Sequence, residues 1–128
     1  MKSLHFAMAP VGRTLLALIF IVSGFGKITA YAGTQGYMES MGVPGVLLPL
    51  VIVLELAGGL AIILGWQTRI VAFLLAGFTL LSALIFHSNL GDQMQMIQFL
   101  KNLAIAGAFL MLVAAGPGPL ALDNRRAQ

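Results

Sequence analysis

Apolar residues run along this chain in four long blocks, and the polar residues collect almost entirely between them. A helix that spans a bilayer needs about 20 mostly apolar residues, each adding about 1.5 Å of rise. Residues 10–28, 44–64, 69–87 and 96–115 meet that requirement. The punctuation agrees with these bounds. Pro10 and Pro44 suit the first turn of a helix, where the missing N–H costs nothing. Gly65-Trp66-Gln67-Thr68 reads as a tight hairpin, Ser88-Asn89-Leu90-Gly91-Asp92 as a break, and Gly116-Pro117-Gly118-Pro119 as a stop. Connections this short make successive helices antiparallel neighbours. The expected fold is an all-α membrane protein, a four-helix up-down bundle with residues 1–128 forming one domain.

Thr29 to Val43 is longer than a hairpin requires. Gly33 to Met41 reads as a short interfacial helix, with Tyr37, Met38 and Met41 toward the membrane and Glu39 toward water. An ordered loop fits those nine residues equally well. Lys2 and Arg13, followed by an apolar run and Ala30-Tyr31-Ala32, loosely resemble a cleavable signal. Arg13 opens that run and Lys27 interrupts its end, so the first segment is expected to be retained. The word Ala-Leu-Ile-Phe occurs at Ala17 to Phe20 and again at Ala83 to Phe86, but the flanking charges differ and no repeat is expected. Lys2, Arg13, Arg69, Arg125 and Arg126 fall on one side of the predicted bundle, and only Lys27 and Lys101 on the other. The positive-inside bias therefore predicts both termini in the cytoplasm. Trp66 on one side, with Tyr31 and Tyr37 on the other, suit interfacial anchors.

Composition sharpens this picture. Hydrophobic residues make up 59% of the 128, charged residues 9%, and mean hydropathy is +0.98. A chain this short cannot hide so much apolar side chain from water, so the excess faces lipid. The net charge of +3 comes without a stripe of basic residues, which argues against a nucleic-acid partner. Cysteine is absent, so the chain itself offers no disulfide, thiolate nucleophile or thiol relay.

With so few charges, each one inside a helix is informative, because burial forces it to find a partner or a function. Counting rise from the predicted cytoplasmic ends puts Arg13 roughly 5 Å in and Glu55 roughly 13 Å. Lys27 and Lys101 fall roughly 22–25 Å in, and His87 near 28 Å. Two layers follow. Arg13 and Glu55 are expected to form a buried ion pair between the first two helices, with Gly58 and Gly59 clearing that face. The pair reads either as a helix clamp or as a functional site in which Glu55 carries a proton or accepts from a polar ligand group. Lys27, His87 and Lys101, with Asn102 beside them, form an outer basic layer suited to a quinone headgroup, a lipid phosphate or a small oxyanion. Histidine adds a group that exchanges a proton near neutral pH. The plainer alternative has both lysines reaching to lipid phosphates and His87 capping its helix.

Met94 and Met96 near His87 offer soft ligands to Cu(I), but with no cysteine and no second histidine at that level no metal site is expected. Small-residue steps at Ala72 to Ala76 and Ala104 to Ala108 permit close helix contacts within or between chains. They leave the oligomeric state open.

Taken in order, the residues resemble a known family. Gly12-Arg13 and Ser23-Gly24-Phe25-Gly26-Lys27 bracket the first helix. Gly33-Thr34-Gln35-Gly36-Tyr37-Met38 and Gly42-Val43-Pro44 follow in the loop. Glu55 with Gly58-Gly59, then Gly65-Trp66-Gln67-Thr68-Arg69 and Phe86-His87, occupy the middle of the chain. Phe99-Leu100-Lys101-Asn102 and Gly116-Pro117-Gly118 close the series. This set is similar to the bacterial DoxX family over nearly the whole length. The resemblance implies a four-helix, multi-pass protein of the bacterial inner membrane. It also implies a link to redox biology, since the family name comes from a subunit of a thiosulfate:quinone oxidoreductase.

Two functions are therefore expected in competition. One is a redox-linked subunit that binds a quinone or small sulfur anion at Lys27, His87, Lys101 and Asn102, with a membrane or redox protein partner. The other is a non-catalytic component, either a small permease centred on Glu55 or an assembly partner of a larger complex. A permease of this size is expected to act as a dimer, pairing repeats around a midplane site.

Overall fold

In a computed structural model, residues 2–126 are described, with side chains for 6–124. Lys2, Arg125 and Arg126, counted above for orientation, have side chains outside that range. The helices are α1 (Lys2–Thr29), α2 (Tyr31–Ser40), α3 (Leu48–Leu64), α4 (Thr68–Phe86), α5 (Gln93–Ala115) and the short α6 (Leu122–Arg126). Four of the described helical segments are long and apolar enough to cross a membrane: Phe6–Thr29, Gly45–Leu64, Thr68–Phe86 and Gln93–Ala115.

The boundaries depart from the sequence pattern at three places. Pro10 lies inside α1 instead of opening it. Eight residues precede it in the helix, and the Thr14 hydroxyl bonds back to the Pro10 carbonyl at 2.8 Å. Pro44 precedes a single 3₁₀ turn, Gly45–Leu47, before α3 begins at Leu48. The last spanning helix starts three residues earlier than its apolar block, because Asp92 caps it by accepting from the Met94 N–H at 3.0 Å. The loop alternative between α1 and α3 is replaced by a helix, α2.

α1 lies chiefly against α3, and α4 chiefly against α5, with a lighter seam between α3 and α4. Lipid tails supply no hydrophobic drive for helices to associate, so close approach and side-chain fit decide these seams. Gly24 and Gly59 are tight points of the first: a Cβ at either would stand 2.7 Å from a side chain of the facing helix, Leu56 or Ile21. Alanines do the same elsewhere. Ala17, Ala72, Ala76 and Ala106 join Phe20, Ile62, Leu75 and Phe109 in one buried cluster. Phe20 and Phe109 meet edge to face at 5.5 Å across its middle.

α1 begins, α5 ends and the chain turns between α3 and α4 at one end of the bundle. Arg13 organises that terminal end. One guanidinium nitrogen donates to the carbonyls of Ile62 and Ile63, at 3.3 and 3.0 Å, and the other to Pro119 and Leu120, at 3.1 and 2.9 Å. The first two belong to the last turn of α3, whose orphan carbonyls carry the negative end of the helix dipole. Asp123 accepts from the Gln67 and Thr68 N–H groups at 2.7 and 2.8 Å, placing a carboxylate on the positive start of α4. Gly65 sits between them at φ +71°, and a Cβ there would stand 2.3 Å from that of Ala121 and 2.5 Å from the Arg13 guanidinium.

Candidate functional site

The opposite end of the bundle, beneath α2, is built differently. On α1 the core face continues from Ala17 and Phe20 to Ser23 and Lys27. On α4 it continues from Ala72 and Ala76 to Thr79, Ser82 and Phe86. One layer below, Phe20 and Phe109 fill the space between helices; here serine, threonine and glycine do not. The result is a cavity of about 510 Å³, bordered by α1, α2, α3, α4 and α5. Its size is that of a small-molecule site. Most of its lining is apolar, with Ile19, Val51, Phe78 and Ile105 among the walls.

Its polar groups are few and specific. The Lys27 ammonium lies 2.7 Å from Glu55 Oε1 and donates to the Ser23 hydroxyl at 2.6 Å. Ser23 is one helical turn before Lys27, so α1 itself steers the lysine stem inward onto α3. Glu55 is 3% exposed, a carboxylate in the middle of a spanning helix. The ammonium and Oε1 form a close ion pair, so the carboxylate is held by Lys27 from the facing helix. Thr79, also buried, keeps a hydroxyl without a hydrogen-bond partner. The Asn102 amide donates to the Thr79 carbonyl at 3.3 Å. At the rim, His87 Nδ1 meets Gln95 Oε1 at 3.0 Å, and Tyr37 of α2 stacks on Phe86 of α4 at 5.4 Å with their rings 24° apart.

This arrangement corrects two expectations. Arg13 and Glu55 do not pair: Glu55 takes Lys27, and Arg13 takes carbonyls at the other end of the bundle. Depth counted on Cα atoms hid this, because a lysine stem and a glutamate stem together span about 10 Å and close the gap between the two layers. Lys101 does not join Lys27, His87 and Asn102 around the cavity. Its side chain is exposed, one residue and about 100° around the helix from Asn102, on the face of α5 turned from the bundle. That position matches a lysine reaching toward headgroups. Met94 and Met96 are likewise exposed, at 67% and 44%.

Other polar lining residues carried a weaker signal. Ser23 stands four residues before Lys27, and Gln98 four before Asn102, so each shares its partner's helix face. Thr79 and Ser82 fall on the same face as Ala72 and Ala76 in an otherwise apolar helix. The Tyr37–Phe86 stack has no local signature, since it joins residues 49 positions apart.

Comparison with known proteins places this architecture in context. The DoxX family model matches residues 8–88. The inner membrane protein YqjF of Escherichia coli (strain K12) is 54% identical over 124 residues, 97% of this chain and 95% of that one. The inner membrane protein YphA of the same organism is 42% identical over 122 residues, 90% of this chain and 87% of its own. A protein named Putative oxidoreductase CatD, of Bacillus subtilis (strain 168), is 36% identical over 73 residues, 57% of this chain and 54% of that one. No solved structure matches the chain.

Proposed function

This chain belongs to the DoxX family of multi-pass inner-membrane proteins, and from that premise we propose that it is a redox-linked membrane subunit whose cavity holds the ring of a quinone. The observation that carries the reading is a cavity of about 510 Å³ with a stacked aromatic pair, Tyr37–Phe86, at its rim and an ion pair between Lys27 and the buried Glu55. A ring with oxygens at opposite edges fits such a site: apolar walls take its faces, and a few placed polar groups fix its ends. The small-anion alternative loses its basis. Lys27 is already balanced by Glu55, and Lys101 is off the site. A second anion beside a buried carboxylate would be repelled. The relation to CatD, whose printed name includes oxidoreductase, points the same way over the residues shared.

In this role Lys27 offers its remaining N–H to a ring oxygen, Ser23 holds the lysine in place, and His87 moves a proton at the rim. A partner protein supplies the other redox centre. The test is native mass spectrometry of the protein extracted gently from its own membrane. A quinone that co-purifies with the wild type and is lost in Lys27→Met supports the reading. A bundle carrying only bulk phospholipid overturns it, and leaves Lys27–Glu55 as a helix tie in a non-catalytic assembly component.

A further inference from the structure

Resting on that reading, we infer that the cavity opens sideways into the bilayer between α1 and α5, and that its ligand is a membrane-dissolved ring whose apolar tail passes out through this mouth into lipid. The helix seams set where the opening falls. α1 packs on α3, α3 on α4 and α4 on α5, but no seam of comparable closeness joins α5 back to α1 among the described residues. There the bundle closes through side chains, with Phe20 of α1 against Phe109 of α5 at 5.5 Å. Both rings are buried, and Phe20 forms part of the cavity floor. Ile19, Gly26 and Tyr37 line the cavity and are exposed, whereas the remaining lining residues are buried or half-buried. Two of these three belong to α1. On that helix Ile21 and Gly24 meet α3, Ile21 beside Gly59 and Gly24 beside Leu56. Ile19 and Gly26 each stand two residues from one of them, about 200° around the helix, on the flank turned from α3. They are seven residues apart, so the mouth runs about 10 Å along α1. Across it, Gln98, Asn102 and Ile105 present one face of α5. A Cβ at Gly26 would meet nothing within 4 Å, so the space beside it is open.

The end of the cavity beneath α2 is roofed instead. Met38 of α2 lines the cavity and is buried, and Tyr37 stacks on Phe86 of α4. The Gln35 amide donates to the Gly45 carbonyl at 3.2 Å and ties α2 to the turn before α3. Ile19 and Gly26, by contrast, lie within the membrane-spanning part of α1, Phe6–Thr29. Ile19 is ten residues from the end of that span, about 15 Å along the helix and near mid-depth. The mouth therefore faces hydrocarbon. A molecule already dissolved in lipid reaches it without passing α2, and a tail left in lipid avoids the cost of exposing its methylenes to water. A free polar solute has no such route. Polar head inside and apolar tail outside is thus the division that the walls and the mouth together select.

The experiment uses a decyl-tailed benzoquinone carrying a diazirine midway along its tail, photolysed with the full chain in lipid nanodiscs and mapped by peptide mass spectrometry. Label that an excess of the plain decyl-tailed benzoquinone removes reports the bound state. It is expected on α1 between Ile19 and Gly26 and on the face of α5 across from it. Gly26→Trp fills the mouth and should abolish that label. Ile19→Trp does the same from the other end of the mouth, should the first variant fail to fold. Val53→Trp places the same bulk on the outer side of α3, where Val53 is exposed, and should leave the label intact. Competed label confined to α2, to residues 88–92 or to another helix seam overturns this inference and leaves the quinone site standing. So does competed label that persists undiminished in either folded mouth variant, or that Val53→Trp also abolishes in a folded protein. Absence of any competed label in the wild type overturns the site reading and this inference together.

Discussion

The two ends of this bundle use the same ingredients, buried charge and helix termini, to opposite effect. At the terminal end, Arg13 reaches four carbonyl oxygens and Asp123 takes two backbone N–H groups. Each buried charge there is held mainly by backbone groups of the chain itself, although Arg13 Nε and the Thr68 hydroxyl keep no hydrogen-bond partner. At the α2 end, Glu55 is held by a single side chain, Lys27, the buried Thr79 hydroxyl keeps no hydrogen-bond partner, and both residues border open volume. A satisfied network rigidifies a fold, while a half-satisfied one costs stability unless something else completes it. Burial of charge alone therefore does not mark a site in this protein. A side-chain ion pair that borders open volume does.

The contrast can be broken at either end, and the largest effect is expected from Arg13→Ala. It removes a charged donor shared by four carbonyls, of which Ile62 keeps the Gly65 N–H, and should lower stability by roughly 3–5 kcal/mol, by analogy with other broken buried charge networks. Thermal unfolding in detergent, followed through Trp66, would read it; loss of quinone binding before unfolding would contradict a purely structural role. Glu55→Gln should cost less, roughly 1–3 kcal/mol, because the Lys27 side chain is already 26% exposed and can swing away from the cavity. The same variant should change ligand binding, since Glu55 lines the cavity, which Arg13→Ala should not. Asp123→Asn weakens one helix cap and should lower stability by about 0.5–2 kcal/mol, with ligand binding intact. Lys101→Met should move neither readout, with a stability change within about 0.5 kcal/mol. A loss of binding in Lys101→Met would mean that the ligand sits on the lipid face of α5 and not in the cavity.

Much of the fold was legible in the sequence because lipid leaves the backbone few options. Once a segment is apolar for the width of a membrane it must be helical, and the Gly-Trp-Gln-Thr and Gly-Pro-Gly-Pro punctuation fixed where the chain reverses or stops. The site was half legible. Lys27, Glu55, His87 and Asn102 stood out as polar residues in apolar blocks, and all four line the cavity. Which charge met which did not follow, since side-chain reach exceeded the spacing between the two inferred layers. Lys101 was misplaced because depth alone does not say which face of α5 it occupies. Arg13 was misread for a different reason. Its partners are backbone carbonyls, two of them in the Gly-Pro-rich stretch after α5, and main-chain acceptors leave no trace in residue identity.

That last connection has a consequence for how the protein is made. Arg13 enters the membrane with the first helix, about 50 residues before its first two carbonyl partners and more than 100 before the others. At ordinary rates of synthesis the delay to the last pair is roughly 5–20 s. Through that interval the first helix carries a charge whose full set of partners does not yet exist, and it depends on lipid headgroups, water or the insertion machinery to shelter it. The arrival of Pro119 to Asp123 relieves Arg13 and caps α4 in one event. Arrival of the segment after α5 is thereby built into the bundle as a chemical condition.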